Sequence, residues 1–136
     1  MAKTIQQTVT FKASPDELFD IYLDSKKHSA AVNDKAAISR AAGRKFSVFD
    51  GYITGTNLLI VPKRLIVQSW RGSDWKGREP DSVLILAFSK AKGGGQIALV
   101  HANVPDNHAA SINKGWRQYY WTPWKDYVRR RPGKAR

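Results

Sequence analysis

The feature that most constrains the fold is an aromatic stretch near the end of the chain, GWRQYYWTPWKDYV, from Gly115 to Val128. It holds six of the fifteen aromatic residues. From Ala109 to Tyr127, apolar side chains recur every three or four positions, which is the period of one helix face. That face comprises Ala109, Ile112, Trp116, Tyr120, Trp124 and Tyr127. A helix with so bulky a face requires a large apolar partner.

The same period predicts which residues border the apolar face of this helix and which lie opposite it. Tyr119 and Trp121 widen the apolar arc, and the opposite, polar side should face water. The polar residues are Lys114, Gln118, Thr122 and Lys125. Because Pro123 lacks an amide donor and would clash with the carbonyl of Tyr119, the helix is predicted to kink there.

The first forty residues predict a strand and a well-capped helix. TIQQTVTF, from Thr4 to Phe11, alternates loosely between apolar and polar residues, as a strand with one wet face does. Ser14 then stands at an N-cap position, with Pro15 at the first helical position and Glu17 at the capping-box position. SKKHSAAVN follows and predicts a second short helix or an irregular turn.

From Ala36 onward the sequence predicts an antiparallel meander of about six short strands. Asp50 and Gly51 form the strongest hairpin signal, because a type I′ turn needs positive φ at both central positions. Pro62 and Lys63 end one strand, and Lys92 to Gly95 connect the last two. The predicted strands are AAISR, KFSVF, YITGTNLLIV, RLIVQSW, SVLILAFSK and QIALVHANV. Strands in series with helices at both ends indicate an α+β domain whose long sheet must curl.

Length, cysteine content and charge limit the classes of function. The 136 residues suit one domain, predicted over residues 1–128, followed by a basic, disordered tail over residues 129–136. The absence of cysteine excludes disulfides and cysteine-ligated zinc, and no signal peptide or long apolar run is present, so we expect a cytoplasmic protein. The net charge of +12 raises the possibility of nucleic-acid binding. The sequence, however, has neither the strand-borne aromatic residues of an RNA-recognition motif nor the recognition-helix pattern of a helix-turn-helix protein.

Candidate catalytic and metal-binding residues are few. His101 falls on an apolar strand face, where a histidine is usually satisfied by a backbone carbonyl or a tyrosine hydroxyl. His28 and His108 show no metal-ligand spacing, so we expect no metal site and no cofactor. No nucleophile, base and orienting group can be identified from spacing, so no catalytic residue is assigned.

The aromatic residues leave two interpretations open. They pack as core, or their flat faces line a cavity that holds an apolar ligand, and different ends of one helix can do both. The candidate ligand-binding residues are Phe46, Val48, Tyr52, Trp70, Leu86, Phe88, His101, Trp116, Tyr120 and Trp124.

Two motifs resemble one known family. F-x-x-F-D-G-x-I-x-G at Phe46 to Gly55 and G-W-x-x-Y-Y-W-x-P-W at Gly115 to Trp124 are similar to the central hairpin and closing helix of the activators of the heat-shock protein 90 ATPase. That family belongs to the START-like, helix-grip SRPBCC superfamily. The resemblance covers about Thr4 to Val128 and implies a curled antiparallel sheet around a long C-terminal helix, often with a cavity between them.

The resemblance also implies a function in binding. Co-chaperone members carry a further N-terminal domain that supplies much of the ATPase stimulation, whereas this chain starts at the first strand, so docking on a chaperone is expected rather than strong stimulation. We expect a non-catalytic protein that binds a hydrophobic small molecule, a chaperone, or both. The first alternative to this function is a cavity enzyme resembling polyketide cyclases, and the second alternative is a basic nucleic-acid-binding protein. The oligomeric state is left open.

Overall fold

A computed structural model describes residues 2–130 and contains seven strands, four α-helices and one π-helical segment within that range. The strands are β1 Ala2–Phe11, β2 Ala36–Ala37, β3 Lys45–Val48, β4 Ile53–Val61, β5 Leu65–Gly72, β6 Ser82–Ala91 and β7 Gly94–Pro105. The helices are α1 Pro15–Leu23, α2 Ser25–Val32, α3 Asp106–Gly115 and α4 Thr122–Arg130, with the π-helical segment at Trp116–Trp121.

All seven strands form one antiparallel sheet in the order β1-β7-β6-β5-β4-β3-β2. Its inner face packs against the helices, and residues of β6 and β7 alternate strictly between buried and half-buried positions over most of their length. The predicted curled antiparallel sheet around a long C-terminal helix is confirmed. This arrangement gives the aromatic helix the large apolar partner that its sequence requires.

The first helix begins as its sequence predicts. Ser14 is the N-cap, its hydroxyl accepts a hydrogen bond from the Glu17 amide at 3.1 Å, and Pro15 occupies the first helical position. The following segment is a true helix, α2, capped by the Asp24 side chain and ended by Asn33 in the left-handed conformation. Both helices therefore start where a side-chain oxygen can satisfy a free amide.

The hairpin between β3 and β4 has the predicted turn and one unpredicted feature. Asp50 and Gly51 both have positive φ, and the Tyr52 amide donates to the Phe49 carbonyl at 3.1 Å, as a type I′ turn requires. Phe49 also has a positive φ of 55°, which is rare for a bulky residue. Strand pairing therefore starts one residue further out, at Val48 and Ile53.

The strand predicted at AAISR is much shorter than expected, because only Ala36 and Ala37 pair with β3. The backbone of Ile38 instead bonds to the Ser25 hydroxyl, at 2.8 Å for its amide and 2.9 Å for its carbonyl. A side-chain hydroxyl thus replaces the neighbouring strand and ends the ladder.

Two glycines allow close approach between strands. A Cβ atom at Gly55 would lie 1.9 Å from the Ser69 carbonyl oxygen and 2.7 Å from the ring of Phe46, its cross-strand partner. At Gly94 a Cβ atom would lie 2.1 Å from the carbonyl of Phe11. These glycines permit backbone contacts that a side chain would block.

The kink predicted at Pro123 stays a prediction, and the irregularity that the structure shows is a different one, the π-helical segment Trp116–Trp121, which ends two residues before the proline. There the Thr122 amide bonds to the Arg117 carbonyl, five residues back. The wider turn brings Trp121 to the buried side together with Tyr120. The side predicted to face water is exposed at Lys114, Gln118, Thr122 and Lys125.

The helix continues past the predicted domain boundary at residue 128. Arg129 and Arg130 belong to α4, and both form ion pairs with Asp126. The rest of the predicted tail, residues 131–136, lies outside the described residues. Over the described residues, none of the helices combines the length and apolar character needed to cross a bilayer.

Candidate functional site

A cleft of about 450 Å³ lies between the tip of the β3–β4 hairpin and the aromatic helix. Its lining residues are Phe49, Tyr52, Ile53, Trp70, Ser111, Ile112, Gly115, Trp116, Tyr119 and Tyr120. The cleft opens to solvent at its rim, where Tyr52 is 45% exposed and Tyr119 is 54% exposed. Six aromatic side chains thus surround a space of the size that small ligands occupy.

The aromatic walls contact one another in edge-to-face and tilted arrangements. Phe49 packs edge-on against Tyr120 at 5.6 Å and against Tyr119 at 6.2 Å between ring centroids. Trp116 lies 4.6 Å from Tyr120 and 6.1 Å from Trp70. Such pairs hold the rings in fixed orientations, so the cleft is formed in advance of any binding.

One polar pair stands at the rim of the cleft. The Tyr52 hydroxyl donates to the Asp74 carboxylate at 2.9 Å. Partial burial, together with the adjacent negative charge of Asp74, raises the pKa of Tyr52 above its usual range. This hydrogen bond fixes the Tyr52 hydroxyl at the edge of a mostly aromatic surface.

Beneath the cleft, a hydrogen-bonded chain connects its two tryptophans. The Trp116 indole N–H donates to His101 Nδ1 at 3.1 Å, and His101 Nε2 lies 2.8 Å from the Ser82 hydroxyl. That hydroxyl donates to the Trp70 carbonyl at 2.7 Å. Because Nδ1 accepts, the proton of the neutral ring is on Nε2, and burial lowers the pKa of His101 to about 3.

A second buried chain starts at His28. Its Nδ1–H donates to the Tyr22 carbonyl at 2.7 Å, so its Nε2 accepts from the Tyr120 hydroxyl at 2.8 Å. The Tyr22 hydroxyl donates to Gln68, and Gln68 donates to Asn57, each at 2.8 Å. Burial lowers the pKa of His28 to about 4 and raises the pKa of both tyrosines.

These two chains give both ring nitrogens of His28 and of His101 a hydrogen-bond partner. His101 is bonded by a serine and a tryptophan rather than by the predicted backbone carbonyl or tyrosine. His28 is fully buried, which its sequence context did not predict, and its partner Tyr120 lies 92 positions further along the chain. Both histidines are neutral and hydrogen-bonded, which favours a structural role for each.

The candidate residues divide into two groups. Four of them line the cleft: Tyr52, Trp70, Trp116 and Tyr120. The other six are buried in the core and do not border the cleft: Phe46, Val48, Leu86, Phe88, His101 and Trp124. The indole nitrogen of Trp124 is buried and has no hydrogen-bond partner among the described residues.

Six lining residues were not predicted from the sequence: Phe49, Ile53, Ser111, Ile112, Gly115 and Tyr119. Two of these carried a usable signal, because Ile112 and Tyr119 belong to the apolar arc of the aromatic helix. Phe49 precedes the Asp50-Gly51 turn, yet only its left-handed backbone directs the ring toward the helix.

Comparisons with known proteins agree with the fold. The family model described as Activator of Hsp90 ATPase homolog 1-like protein matches residues 12–129. The chain is 26% identical over 116 residues to the activator of 90 kDa heat shock protein ATPase homolog of Dictyostelium discoideum, covering 85% of this chain and 30% of that protein. It is 27% identical over 115 residues to homolog 1 of Mus musculus, covering 82% and 33%. The chain thus spans about a third of these relatives.

Solved structures show the same fold. An HSP90 activator from Plasmodium falciparum superposes with a TM-score of 0.84 at 22% identity, over 92% of this chain and 95% of that one. The Aha1 dimer from Colwellia psychrerythraea superposes with a TM-score of 0.80 at 13% identity, over 96% and 99%. At these identities the likeness concerns the fold alone.

Proposed function

The chain belongs to the Activator of Hsp90 ATPase homolog 1-like family, as its motifs indicated, and from this premise we propose that it is a non-catalytic binding protein that docks on an Hsp90-type chaperone. The observation that carries the proposal is the open aromatic cleft between the hairpin tip and the helix. We assign this cleft as the docking surface, with Tyr52 and Tyr119 as the residues that the partner meets first.

The composition of the cleft suits a protein partner. Tyrosine and tryptophan are enriched at the centres of protein interfaces, because each offers a large apolar area and a polar tip at a small cost in conformational entropy. Trp116 and Tyr120 form the buried floor, whereas Tyr119 projects from the rim. An apolar side chain of the partner can insert between them and be covered on several sides.

The hairpin tip is held rigidly, which supports a role in recognition. The Asp50 amide donates to the Lys35 carbonyl at 3.1 Å, and the Ser73 amide donates to the Tyr52 carbonyl at 2.7 Å. These bonds connect the tip to chain segments on both sides and maintain the left-handed backbone at Phe49. A surface fixed in advance loses less entropy on binding.

The proposal concerns docking and not the whole activity of the larger relatives. Their printed names describe activators of the 90 kDa heat shock protein ATPase, and this chain spans about a third of their length. We therefore expect the isolated chain to bind the chaperone of its own cell and to raise its ATP turnover weakly or not at all.

Two measurements on matched variants test the proposal. Binding of the chaperone is measured by calorimetry for the wild type, for Tyr119→Ala and for the neighbouring Gln118→Ala, which changes an exposed residue outside the cleft. We expect Tyr119→Ala to weaken binding at least tenfold and Gln118→Ala to change it less than twofold. Equal effects of the two variants, or absence of binding by the wild type, would contradict the proposal.

A second candidate function, uptake of an apolar small molecule, is favoured by the volume of the cleft and by its mostly aromatic lining, with the Tyr52 hydroxyl bonded to Asp74 at the rim. Native mass spectrometry of protein fresh from cells, together with titration of an anilinonaphthalene probe, tests it. A bound molecule, or probe uptake that Tyr119→Ala reduces and Gln118→Ala does not, would support it. A wild type that carries no molecule and takes up no probe would exclude it.

The alternative of a cavity enzyme finds little support, because the described residues that line the cleft include no histidine, carboxylate or lysine, and the two histidines beneath it are not available as acid or base. His101 and His28 are buried, and burial lowers the pKa of each well below neutrality, to about 3 and about 4. Burial raises the pKa of Tyr120, whose hydroxyl is already bonded to His28. General acid–base catalysis requires a group with a pKa near the working pH and within reach of the substrate, so these residues support the non-catalytic assignment.

A further inference from the structure

A second surface lies along β1, the strand at one edge of the sheet. β1 is ten residues long and pairs with β7 on one side. Among the described residues, no backbone hydrogen bond joins its other side to a further segment. A long strand with a free edge presents unpaired amides and carbonyls that another strand can use.

One cleft follows this edge, and a second adjoins it at the end of β1, where the β6–β7 turn and α4 contribute to its lining. The first, of about 320 Å³, is lined by Gln6, Gln7, Thr8, Val9, Arg117, Trp121, Thr122 and Lys125. The second, of about 570 Å³, is lined by Thr10, Phe11, Lys12, Lys92, Gly93, Lys125, Asp126 and Arg129. Lys125 borders both clefts, and we name the two together the β1 groove. It runs from Gln6 to Lys12 along the strand.

The β1 groove is strongly positive. Its exposed cationic residues are Lys12, Lys92, Arg117, Lys125 and Arg129. The one acidic residue that lines it, Asp126, is engaged by Arg129 and by Arg130, the latter at 2.8 Å. The charge of Asp126 is therefore offset within α4 and does not neutralise the lysines across the groove.

We propose that the β1 groove binds an acidic, extended segment of polypeptide, which adds to the sheet as a strand next to β1. A strand rises about 3.3 Å per residue, so the length from Gln6 to Lys12 accommodates roughly six residues. Main-chain bonds to β1 supply the alignment, and the cationic residues of the C-terminal helix, together with Lys12 at the end of the strand, select acidic side chains.

A polypeptide fits this groove better than a nucleic acid does. A peptide offers both donors and acceptors to the free edge of β1, whereas a phosphodiester backbone offers acceptors only. Single-stranded nucleic acids also need exposed aromatic faces for base stacking. Trp121 is the one indole that lines the groove, and it is 4% exposed, with its N–H donated to Gln7 at 2.9 Å.

The β1 groove is independent of the aromatic cleft. No lining residue is shared between them, because the cleft uses the β3–β4 hairpin and the groove uses the opposite edge strand. Tyr119→Ala should therefore leave binding in the groove unchanged, and failure of one proposal does not affect the other.

The experiment uses the full-length chain and a capped hexapeptide of alternating glutamate and valine, titrated at low salt and followed by NMR. We expect shifts in the amides of β1, and affinity that falls steeply as salt is added. Lys125→Glu should weaken binding at least tenfold. Lys35→Glu, the same change of charge at an exposed site on the other side of the sheet, should alter it less than about threefold.

Two isomers of the peptide test strand addition directly. One is N-methylated at every glutamate and the other at every valine, so each loses the amide hydrogens along one of its two edges. Because only one edge of the peptide faces β1, one isomer should bind as the parent does and the other should lose binding at least tenfold. Equal affinities of the two isomers would overturn the proposal.

Two further controls separate the groove from other sources of positive charge. A chain with Arg131→Gln, Lys134→Gln and Arg136→Gln should keep at least half of the wild-type affinity for the peptide. If these substitutions abolish binding while Lys125→Glu does not, the proposal is wrong. Tighter binding of a twelve-residue oligothymidine, lost in Lys125→Glu, would identify a nucleic acid as the occupant and would also overturn it.

Discussion

Replacing Trp116 with phenylalanine tests the hydrogen-bonded chain beneath the cleft. Trp116 is 2% exposed, and its indole N–H is the donor to His101 Nδ1. Phenylalanine keeps a large part of the aromatic packing but removes this donor, so it leaves a buried acceptor without a partner. An unsatisfied buried polar group costs about 1–3 kcal/mol, in addition to the loss of packing.

Trp124 provides the matched control. It is fully buried on the same helix, but its indole N–H has no partner among the described residues. Trp124→Phe removes a similar volume. It also removes a donor that had no partner, and the loss of that donor should by itself raise the free energy of unfolding. The losses of packing are comparable, and Trp116→Phe should therefore reduce the free energy of unfolding by about 3 kcal/mol more than Trp124→Phe does.

Urea unfolding at pH 7, followed by far-UV circular dichroism, measures both free energies of unfolding. Circular dichroism is preferred because each variant changes the tryptophan fluorescence directly. Costs that agree within about 0.5 kcal/mol would refute the reasoning, since they would mean that the bond from Trp116 to His101 contributes nothing measurable. Trp116→Ala should cost roughly 3–5 kcal/mol, and a much smaller loss would show that the residue lines open space more than it packs.

Three further predictions follow from buried groups and close contacts. Burial lowers the pKa of His28 to about 4 and that of His101 to about 3, so as the pH falls these histidines are protonated in the unfolded chain before they are in the folded one. The free energy of unfolding should therefore decrease by about 1.4 kcal/mol per pH unit for each histidine between about pH 6.5 and pH 4. A free energy of unfolding by urea that stays constant over this range would contradict the prediction. Gly55→Ala should cost at least about 2 kcal/mol or prevent folding, because its Cβ atom would collide with the Ser69 carbonyl, and a melting temperature equal to that of the wild type would disprove the contact. Burial opposes ionisation of Asp20, but two cationic partners at 2.9 and 3.0 Å lower its pKa, so Asp20→Asn should cost about 1 kcal/mol or less by urea unfolding, and a cost above about 2 kcal/mol would show a stronger role.

The amino-acid sequence alone determined the features that depend on near neighbours. Ser14 and Pro15 fix the start of α1, because an N-cap needs only an oxygen and the amides of the next turn. The Asp50-Gly51 pair fixes the hairpin turn, and the alternation of β6 and β7 fixes which of their faces is buried. The order of these elements was sufficient to predict the curled sheet and its closing helix, and the motifs identified the family.

The tertiary structure decided which buried faces pack and which ones leave a gap. Periodicity places Phe88 and Trp70 equally on the inner face of the sheet, yet only Trp70 borders the cleft. The difference depends on how far apart helix and sheet stand at each position, and the curl of the whole sheet sets that separation. In the same way, His28 and Tyr120 meet across 92 positions, and β1 becomes an edge strand only through the strand order. Contacts between distant segments leave no periodic signal, because each partner is constrained by the three-dimensional arrangement and not by its neighbours in sequence.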